Sequence, residues 1–259
     1  MSKETEEKLA RSLTAETTEL LPFLPYLLQD LWELGSSPKE MTRLIKKHIA
    51  ITENTKILDL ACGKGAVSVN VAKSLHVNVC GFDLLSDFIE YAKKKAKEYG
   101  VDSLCRFERG DVNDVVLTEK GYDCVIFGAA ANILGSPKET LDKLVKTIKP
   151  QGYILMDEAY LSDKASIEQV KYKYEYLTHE QWMKLFQACN LRLVEEIPVK
   201  EEYDFDFENK SIAARAKELA TKHPEKQAIF EGYVQSQLNE CDDLENTVVG
   251  VTWMLQYAR

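Results

Sequence analysis

The sequence predicts an α/β fold: a doubly wound, mostly parallel sheet of seven strands with helices on both faces. Three observations predict it. From Lys56 to Glu158, short apolar runs alternate with amphipathic helical patterns at a regular beat. The first run ends in an acid and a two-glycine turn, Asp59-Leu60-Ala61-Cys62-Gly63-Lys64-Gly65. Beyond it come a sixth run, a long polar helical stretch and a seventh run rich in β-branched and aromatic residues.

Residues 1–50 read as a helical lead-in. Leu20, Phe23, Leu24, Leu27, Leu28, Leu31 and Trp32 fall at helical spacing, and Pro22 and Pro25 break the segment early. Gly35 suits a helix stop. Ser37-Pro38-Lys39-Glu40 has the form of a capping box with proline at the first helical position. The helix it opens carries Met41, Leu44, Ile45 and His48 on one side, and His48 reads as a surface residue at a lysine-rich helix end.

Residues 51–160 form the expected core. The strands are Lys56–Ala61, Val77–Phe82, Leu104–Arg109, Tyr122–Gly128 and Tyr153–Glu158. Between them, Ala66–Leu75 is helical, and Ser86–Tyr99 sets Ile89, Ala92, Ala96 and Tyr99 on one face before Gly100. Ser136-Pro137-Lys138-Glu139 is a second capping box, followed by Leu141, Leu144, Val145 and Ile148. In a sheet of this kind ligands bind beyond the carboxyl ends of the strands, at the switch point. Asp59 to Gly65, Asp83, Gly110-Asp111 and Phe127 to Ala130 are therefore expected to converge on one crevice.

Residues 161–259 change character. Thr178-His179-Glu180-Gln181 opens a helix with Trp182, Leu185, Phe186 and Cys189, and Leu191–Lys200 is the sixth strand. A helical insertion over 207–243, split by Pro224, precedes the seventh strand, Thr247–Tyr257. With no internal repeat and no linker, residues 1–259 read as a single domain.

Composition narrows the function classes. The 33 Lys and Arg against 42 Asp and Glu leave a net charge of -9, which argues against DNA or other phosphate-backbone binding. No apolar run approaches the roughly 20 residues of a membrane span. The acidic start, Met-Ser-Lys-Glu-Thr-Glu-Glu, lacks the apolar stretch of a signal peptide, so a cytoplasmic location is expected. The six cysteines, with no C-x-x-C pair, read as small hydrophobes in a reducing compartment. No metal site is assigned.

A glycine turn between a strand and a helix suits a nucleotide-like ligand, because the backbone can approach it and the helix offers free N–H groups. The spacing from Gly63 to Asp83 also fits part of a dinucleotide fingerprint. Two features oppose that: Ser68 stands where a third glycine or alanine belongs, and Asp59 would face anionic phosphates.

Asp59-Leu60-Ala61-Cys62-Gly63-Lys64-Gly65 resembles the D-x-x-C-G-x-G signature of class I S-adenosylmethionine-dependent methyltransferases, and the N-terminal helices and C-terminal insertion resemble, more loosely, the small-molecule type of that superfamily. Gly81-Phe82-Asp83-Leu84, Gly110-Asp111-Val112 and Lys149-Pro150-Gln151-Gly152 resemble that superfamily's later segments, with Gln151 in place of a glycine. The ordered likeness covers roughly residues 50–160. It implies a seven-stranded Rossmann-like sheet with an antiparallel last strand and S-adenosyl-L-methionine as methyl donor. It implies that Gly63 and Gly65, with Ala61 and Cys62, lie against the methionine part and that Asp59 sits near its amino group. It places Asp83 and Leu84 at the ribose, Gly110, Asp111 and Val112 at the adenine, and Phe127 and Gly128 beside the sulfonium. Cys62 is then a small turn residue and not a nucleophile.

The cofactor supplies an activated methyl group, so alignment and exclusion of water dominate and no fixed triad is expected. Ala129-Ala130-Ala131-Asn132 differs from the N-P-P-Y form of enzymes that methylate adenine or glutamine. On the acceptor side Glu158 is the candidate catalytic residue, and Trp32, Tyr160 and Tyr174 are candidate substrate contacts. The segment Phe23–Trp32 and the insertion Phe207–Asp243 are expected to cover the crevice. The expected reaction is methyl transfer to a small-molecule acceptor, by a monomer or homodimer. The alternatives are a cofactor-binding protein without activity of its own and a methyltransferase acting on RNA or protein.

Overall fold

A computed structural model describes residues 3–172, 174–198 and 205–258. Its seven strands are β1 (Lys56–Leu60), β2 (Asn78–Asp83), β3 (Cys105–Arg109), β4 (Tyr122–Phe127), β5 (Ile148–Leu161), β6 (Leu191–Pro198) and β7 (Val248–Tyr257). They form one sheet in the order β3-β2-β1-β4-β5-β7-β6. Neighbours from β3 through β5 are parallel, and the last strand is antiparallel. The chain order reverses beside β1, which is the switch point. There Leu60 pairs with Phe82 on one side and Phe127 on the other, so three strand ends lie level.

The helices are α1 (Lys3–Ser12), α2 (Leu24–Leu27), α3 (Pro38–His48), α4 (Ala66–Leu75), α5 (Ser86–Glu98), α6 (Val112–Thr118), α7 (Pro137–Val145), α8 (His179–Ala188), α9 (Phe205–Lys222) and α10 (Gln227–Asn246). Their starts follow from local chemistry. Ser37 Oγ accepts from the Glu40 N–H at 3.3 Å, with Pro38 at the first helical position. Glu40 turns to Arg43 at 2.8 Å, and no return bond to Ser37 completes a box there. At α7 both halves of the capping box form between Ser136 and Glu139. His48 closes α3 and meets Glu195 at 2.5 Å, as a helix-end surface residue would.

Contacts divide the chain into two compact units. One comprises Trp32–Glu158, Glu180–Ile197 and Thr252–Arg259. Its core packs Met41, Leu44 and Ile45 of α3, Val69 and Ala72 of α4, and Ile89 and Ala92 of α5 onto Ile57, Val79, Ile126 and Leu155 of the sheet. Each of these side chains, taken out of water, contributes roughly 1–3 kcal/mol. Trp253 is fully buried against Trp182 and Phe186, each with ring centroids 5.1 Å away, and its indole N–H donates to Glu196 at 2.7 Å.

The other unit comprises Met1–Leu31, Ala159–His179 and Pro198–Val251. Pro224 begins a single 3₁₀ turn, Pro224–Lys226, that joins α9 to α10 as the helical hairpin the sequence predicts. The lead-in packs on this hairpin. Phe23 lies edge-on to Phe230 at 5.1 Å, Arg215 forks onto Asp30 at 2.6 and 3.1 Å, and the Tyr26 hydroxyl donates to Glu218. The two segments expected to cover the crevice are therefore packed on each other. Asp243, fully buried on α10, accepts from the N–H groups of Lys171 (2.8 Å) and Tyr172 (2.7 Å).

Two elements depart from expectation. Helix α6 was hidden because Val112, Val115 and Val116 are β-branched and carry no clear helical stripe; all three are buried. Strand β6 begins at Leu191 as expected and is described to Pro198; the last two residues of the expected Leu191–Lys200 lie outside the described residues. Strand β5 begins at Ile148 rather than Tyr153, because Lys149-Pro150-Gln151-Gly152 is an irregularity inside it. The six cysteines are free, and Cys124 and Cys189 are the two fully buried ones. Among the described residues no helix is long and apolar enough to cross a membrane.

The irregularity explains the glutamine. Gln151 has φ +61°, in the left-handed region, and a Cβ at Gly152 would lie 2.8 Å from the Lys149 carbonyl. A side chain in that region costs about 1–2 kcal/mol, partly offset in a glycine variant by the freer unfolded chain. Gln151→Gly is expected to raise the melting temperature by about 2 °C in thermal unfolding, with Gln151→Ala unchanged.

Candidate active site

Asp59 is the one acid inside β1 and is 3% exposed. Ser68, on the first turn of α4, donates its hydroxyl to Asp59 Oδ2 at 2.5 Å. Burial pushes the Asp59 carboxyl up to about 7, the Ser68 hydrogen bond opposes this, and the nearby Asp83 charge adds to it. Ser68, which breaks the dinucleotide pattern, is thus the residue that holds this acid.

The turn itself is built from left-handed backbone. Ala61, Gly63 and Gly65 have φ of +56°, +52° and +74°. At Gly65 a Cβ would lie 2.7 Å from Ala92 of α5 and 3.0 Å from Phe107 of β3, so only glycine fits the close approach. The Cys62 N–H donates to the Phe82 carbonyl at 2.9 Å, and the Gly65 N–H to the Cys62 carbonyl at 2.9 Å. Burial drives the Cys62 thiol well above its ordinary range, which leaves it inert as a nucleophile.

Asp83, at the end of β2, ties two segments together. Its Oδ2 accepts from the Gly63 N–H at 3.0 Å and its Oδ1 from the Leu85 N–H at 2.9 Å. A carboxylate has about four acceptor positions, so these bonds leave capacity for a ligand's donors. Burial raises Asp83 to about 6 in spite of the backbone donors. The Leu84 carbonyl accepts from Arg109 Nε at 3.0 Å, and the Gly110 N–H donates to the Asp83 carbonyl at 3.0 Å.

Asp111 caps α6: its Oδ1 accepts from the backbone N–H of Asn113 at 2.9 Å and from Asn113 Nδ2 at 3.1 Å. Val112 is buried as the first residue of that helix. Phe127 is fully buried at the end of β4. After Gly128, both Ala129 and Ala131 have φ +46°. Each left-handed alanine costs about 1–2 kcal/mol, and such strain concentrates at functional sites.

Residues 32–36 lie across the turn and the β4 end. Trp32 donates its indole N–H to the Lys64 carbonyl at 3.0 Å. Leu34 Cδ1 comes within 3.3 Å of the Cβ position of Gly63, and Ala129 Cβ within 2.7 Å of that of Gly35. A Cβ at Gly128 would overlap Ser36 Oγ and lie 3.3 Å from Asp157 Oδ2. Below the turn Lys64 is buried, with its Nζ 5.0 Å from the Tyr91 ring centre and 5.6 Å from that of Phe88.

The site residues expected from sequence divide accordingly. Asp59, Ala61, Cys62, Gly63, Gly65, Asp83, Leu84, Gly110, Asp111 and Val112 surround the ends of β1 to β3, and Phe127 and Gly128 lie at the end of β4. Trp32 joins them through its indole N–H. Glu158 lies half-buried on β5, opposite in facing to its neighbour Asp157. Tyr160 and Tyr174 belong to the other unit, where Tyr160 packs edge-on to His179 at 4.9 Å and Tyr174 meets Tyr176 at 4.8 Å. Sequence reasoning missed Ser36, Asp157 and Thr252, whose hydroxyl donates to Asp157 Oδ1 at 2.5 Å. The signal was absent because Ile154, Leu155 and Met156 are all buried, so alternation does not single out the face of Asp157.

Among the described residues no group of His, Cys, Asp and Glu could hold a metal ion. The two desolvated carboxyls, beside backbone that a ligand can approach closely, fit a ligand with a cationic amino group and hydroxyl donors.

The chain is similar to known proteins. A phosphoethanolamine N-methyltransferase of Plasmodium falciparum is 25% identical over 170 residues, covering 62% of this chain and 62% of that protein. A malonyl-[acyl-carrier protein] O-methyltransferase of Priestia megaterium is 34% identical over 100 residues, 38% of this chain and 35% of its own. The chain thus spans less than two thirds of the length of either relative. The crystal structure of a SAM-dependent methyltransferase from Thiobacillus denitrificans, in complex with S-adenosyl-L-homocysteine, has the same fold. Its TM-score is 0.75 at 19% identity, over 90% of this chain and 97% of that one. The model of a methyltransferase domain family matches residues 51–196. Because that match runs over more than half of its residues, the chain belongs to that family of methyltransferase domains.

Proposed function

We propose that this chain transfers a methyl group from S-adenosylmethionine to a small-molecule acceptor by in-line displacement at the sulfonium. The observation that carries the reading is the pair of buried acids, Asp59 and Asp83, around one glycine turn at adjacent strand ends. In this reading Asp59 takes the amino group and Asp83 the ribose hydroxyls. Asp111 takes the adenine amino group beside Gly110 and Val112, and Ala61 to Gly65 lie along the methionine part. Leu84 flanks the ribose, and Phe127 and Gly128 flank the sulfonium. Glu158 serves the acceptor, with Trp32, Tyr160 and Tyr174 as its contacts. The relatives support a small acceptor group, since one is named for phosphoethanolamine and the other for a malonyl group carried on acyl-carrier protein. The net charge of -9 supports an acceptor other than nucleic acid. A cytoplasmic monomer or homodimer fits this reading.

Transfer of labelled methyl from S-adenosylmethionine to a panel of small amines, hydroxyls, thiols and carboxylates tests the function. Labelling of RNA or protein alone overturns the small acceptor, and NAD binding without S-adenosylmethionine binding overturns the cofactor. Asp83→Asn is expected to weaken S-adenosylhomocysteine binding tenfold or more by calorimetry, since a bond to a charged group contributes about 1.5–3 kcal/mol.

The pH dependence has a definite sign. A cationic amino group beside Asp59 favours its ionised form and draws its pKa below about 7. Binding then releases a proton near neutrality, and S-adenosylhomocysteine affinity is expected to rise severalfold from about pH 6 to about pH 8. Asp59→Asn is expected to flatten this rise, as read by calorimetry in buffers of different ionisation heat.

A further inference from the structure

Asp157 is half-buried on β5, one residue past the paired Met156 and Phe127, which sets it beside Gly128. Thr252 fixes its Oδ1 at 2.5 Å. Its Oδ2 is out of contact with water and makes no hydrogen bond among the described residues. A buried acceptor left in this state costs about 1–3 kcal/mol, more when charged, so it calls for a donor. The donor at hand is the Ser36 hydroxyl, which converges with Oδ2 on the Cβ position of Gly128. Ser36 ends the segment whose other end is pinned by Trp32 to the Lys64 carbonyl. Between these two points Leu34 abuts Gly63 and Gly35 abuts Ala129. Residues 32–36 thus form a strap fastened at one end on the glycine turn, with Ser36 at the other end set beside Asp157.

We infer that Asp157 is the positioning residue of a clamp: through Ser36 it holds residues 32–36 down on the glycine turn, over the bound cofactor. This rests on the cofactor reading above. A ligand lying along Ala61 to Gly65 leaves from beneath Trp32 and Leu34, so a fastened strap slows its departure. The small residues serve the same end, because a side chain at Gly128 would occupy the place of Ser36 Oγ. Ionised Asp157 accepts the Ser36 hydroxyl, and protonation weakens the fastening. Burial raises this carboxyl to about 6, against the pull of the Ser36 and Thr252 hydroxyls. The groups around it are those two hydroxyls, the Met41 side chain of α3 and the Gly128 backbone. The acids on adjacent segments are Glu33 in the strap and Glu40 on α3, with Glu158 on the opposite sheet face; Lys39 is the nearby base in the sequence of α3.

The test is a double-mutant cycle on S-adenosylhomocysteine kinetics by stopped-flow fluorescence, with wild type, Ser36→Ala, Asp157→Asn and the double variant. Each single variant is expected to raise the dissociation rate about tenfold, with association changed less than twofold and the double variant no worse than either single one. In the wild type dissociation should slow from about pH 5 to about pH 7.5 by a component absent in Ser36→Ala; Asp59 and Asp83 titrate alike in both proteins and cancel. Ser36→Ala alone keeps the test open should Asp157→Asn fail to fold. Unchanged dissociation, additive effects, or faster association with unchanged dissociation overturns the clamp. Wild type that binds no S-adenosylhomocysteine overturns the cofactor reading and the clamp with it, whereas tight binding with unaltered rates in the variants overturns the clamp alone.

Discussion

The site depends on keeping two carboxyl groups out of water at the top of adjacent parallel strands. Asp59 and Asp83 lie on adjacent strands, two residues apart in register, and the Asp83 charge adds to the cost of ionising Asp59. Without compensation such a pair would be expelled or neutralised. The fold compensates locally: Ser68 on α4 serves Asp59, and the Gly63 and Leu85 N–H groups serve Asp83. The turn conformation, the placement of α4 and the close approach of β2 all follow from those bonds. The result is a negative, partly neutralised cradle that a cationic, hydroxyl-bearing ligand completes.

Backbone strain is gathered at the same strand ends. Ala61, Ala129 and Ala131 are left-handed, and Gly63, Gly65 and Gly35 share that region without penalty. The alanines are held there by what packs around them. The segment 32–36 presses on the turn and on the β4 end, and α3 follows it directly into the core through Met41. Packing of α3 on the sheet therefore sets where the strap lies, and the strap in turn limits the space above the turn. Stability and ligand access are coupled through a few residues of contiguous chain.

The sequence made the sheet legible because its signals are local. Apolar runs at regular spacing gave five strands, and four of them matched to within a residue at each end. The fifth was underread because an extended strand can absorb a proline-glutamine-glycine irregularity that looks like a turn. Helix α6 was missed because three valines carry a strand signal, and a cap at Asp111 overrides it. The residues proposed for the donor were legible for the same reason as the strands: Asp59, Gly63, Gly65, Asp83 and Asp111 lie at or next to strand ends in chain order.

What the sequence by itself determined was the sheet, its switch point and the chemistry lining it, since each depends on short-range pattern and residue type. What only the tertiary structure decided was which distant side chains meet there. Ser36, Asp157 and Thr252 come from three separate segments, 95 residues apart in the case of the last pair. No periodicity marks them, because Ile154, Leu155 and Met156, which precede Asp157 on β5, are buried on both faces. Their meeting is fixed by β7 entering the sheet beside β5 and by α3 seating on the same face, which are properties of the packed core and not of any local stretch.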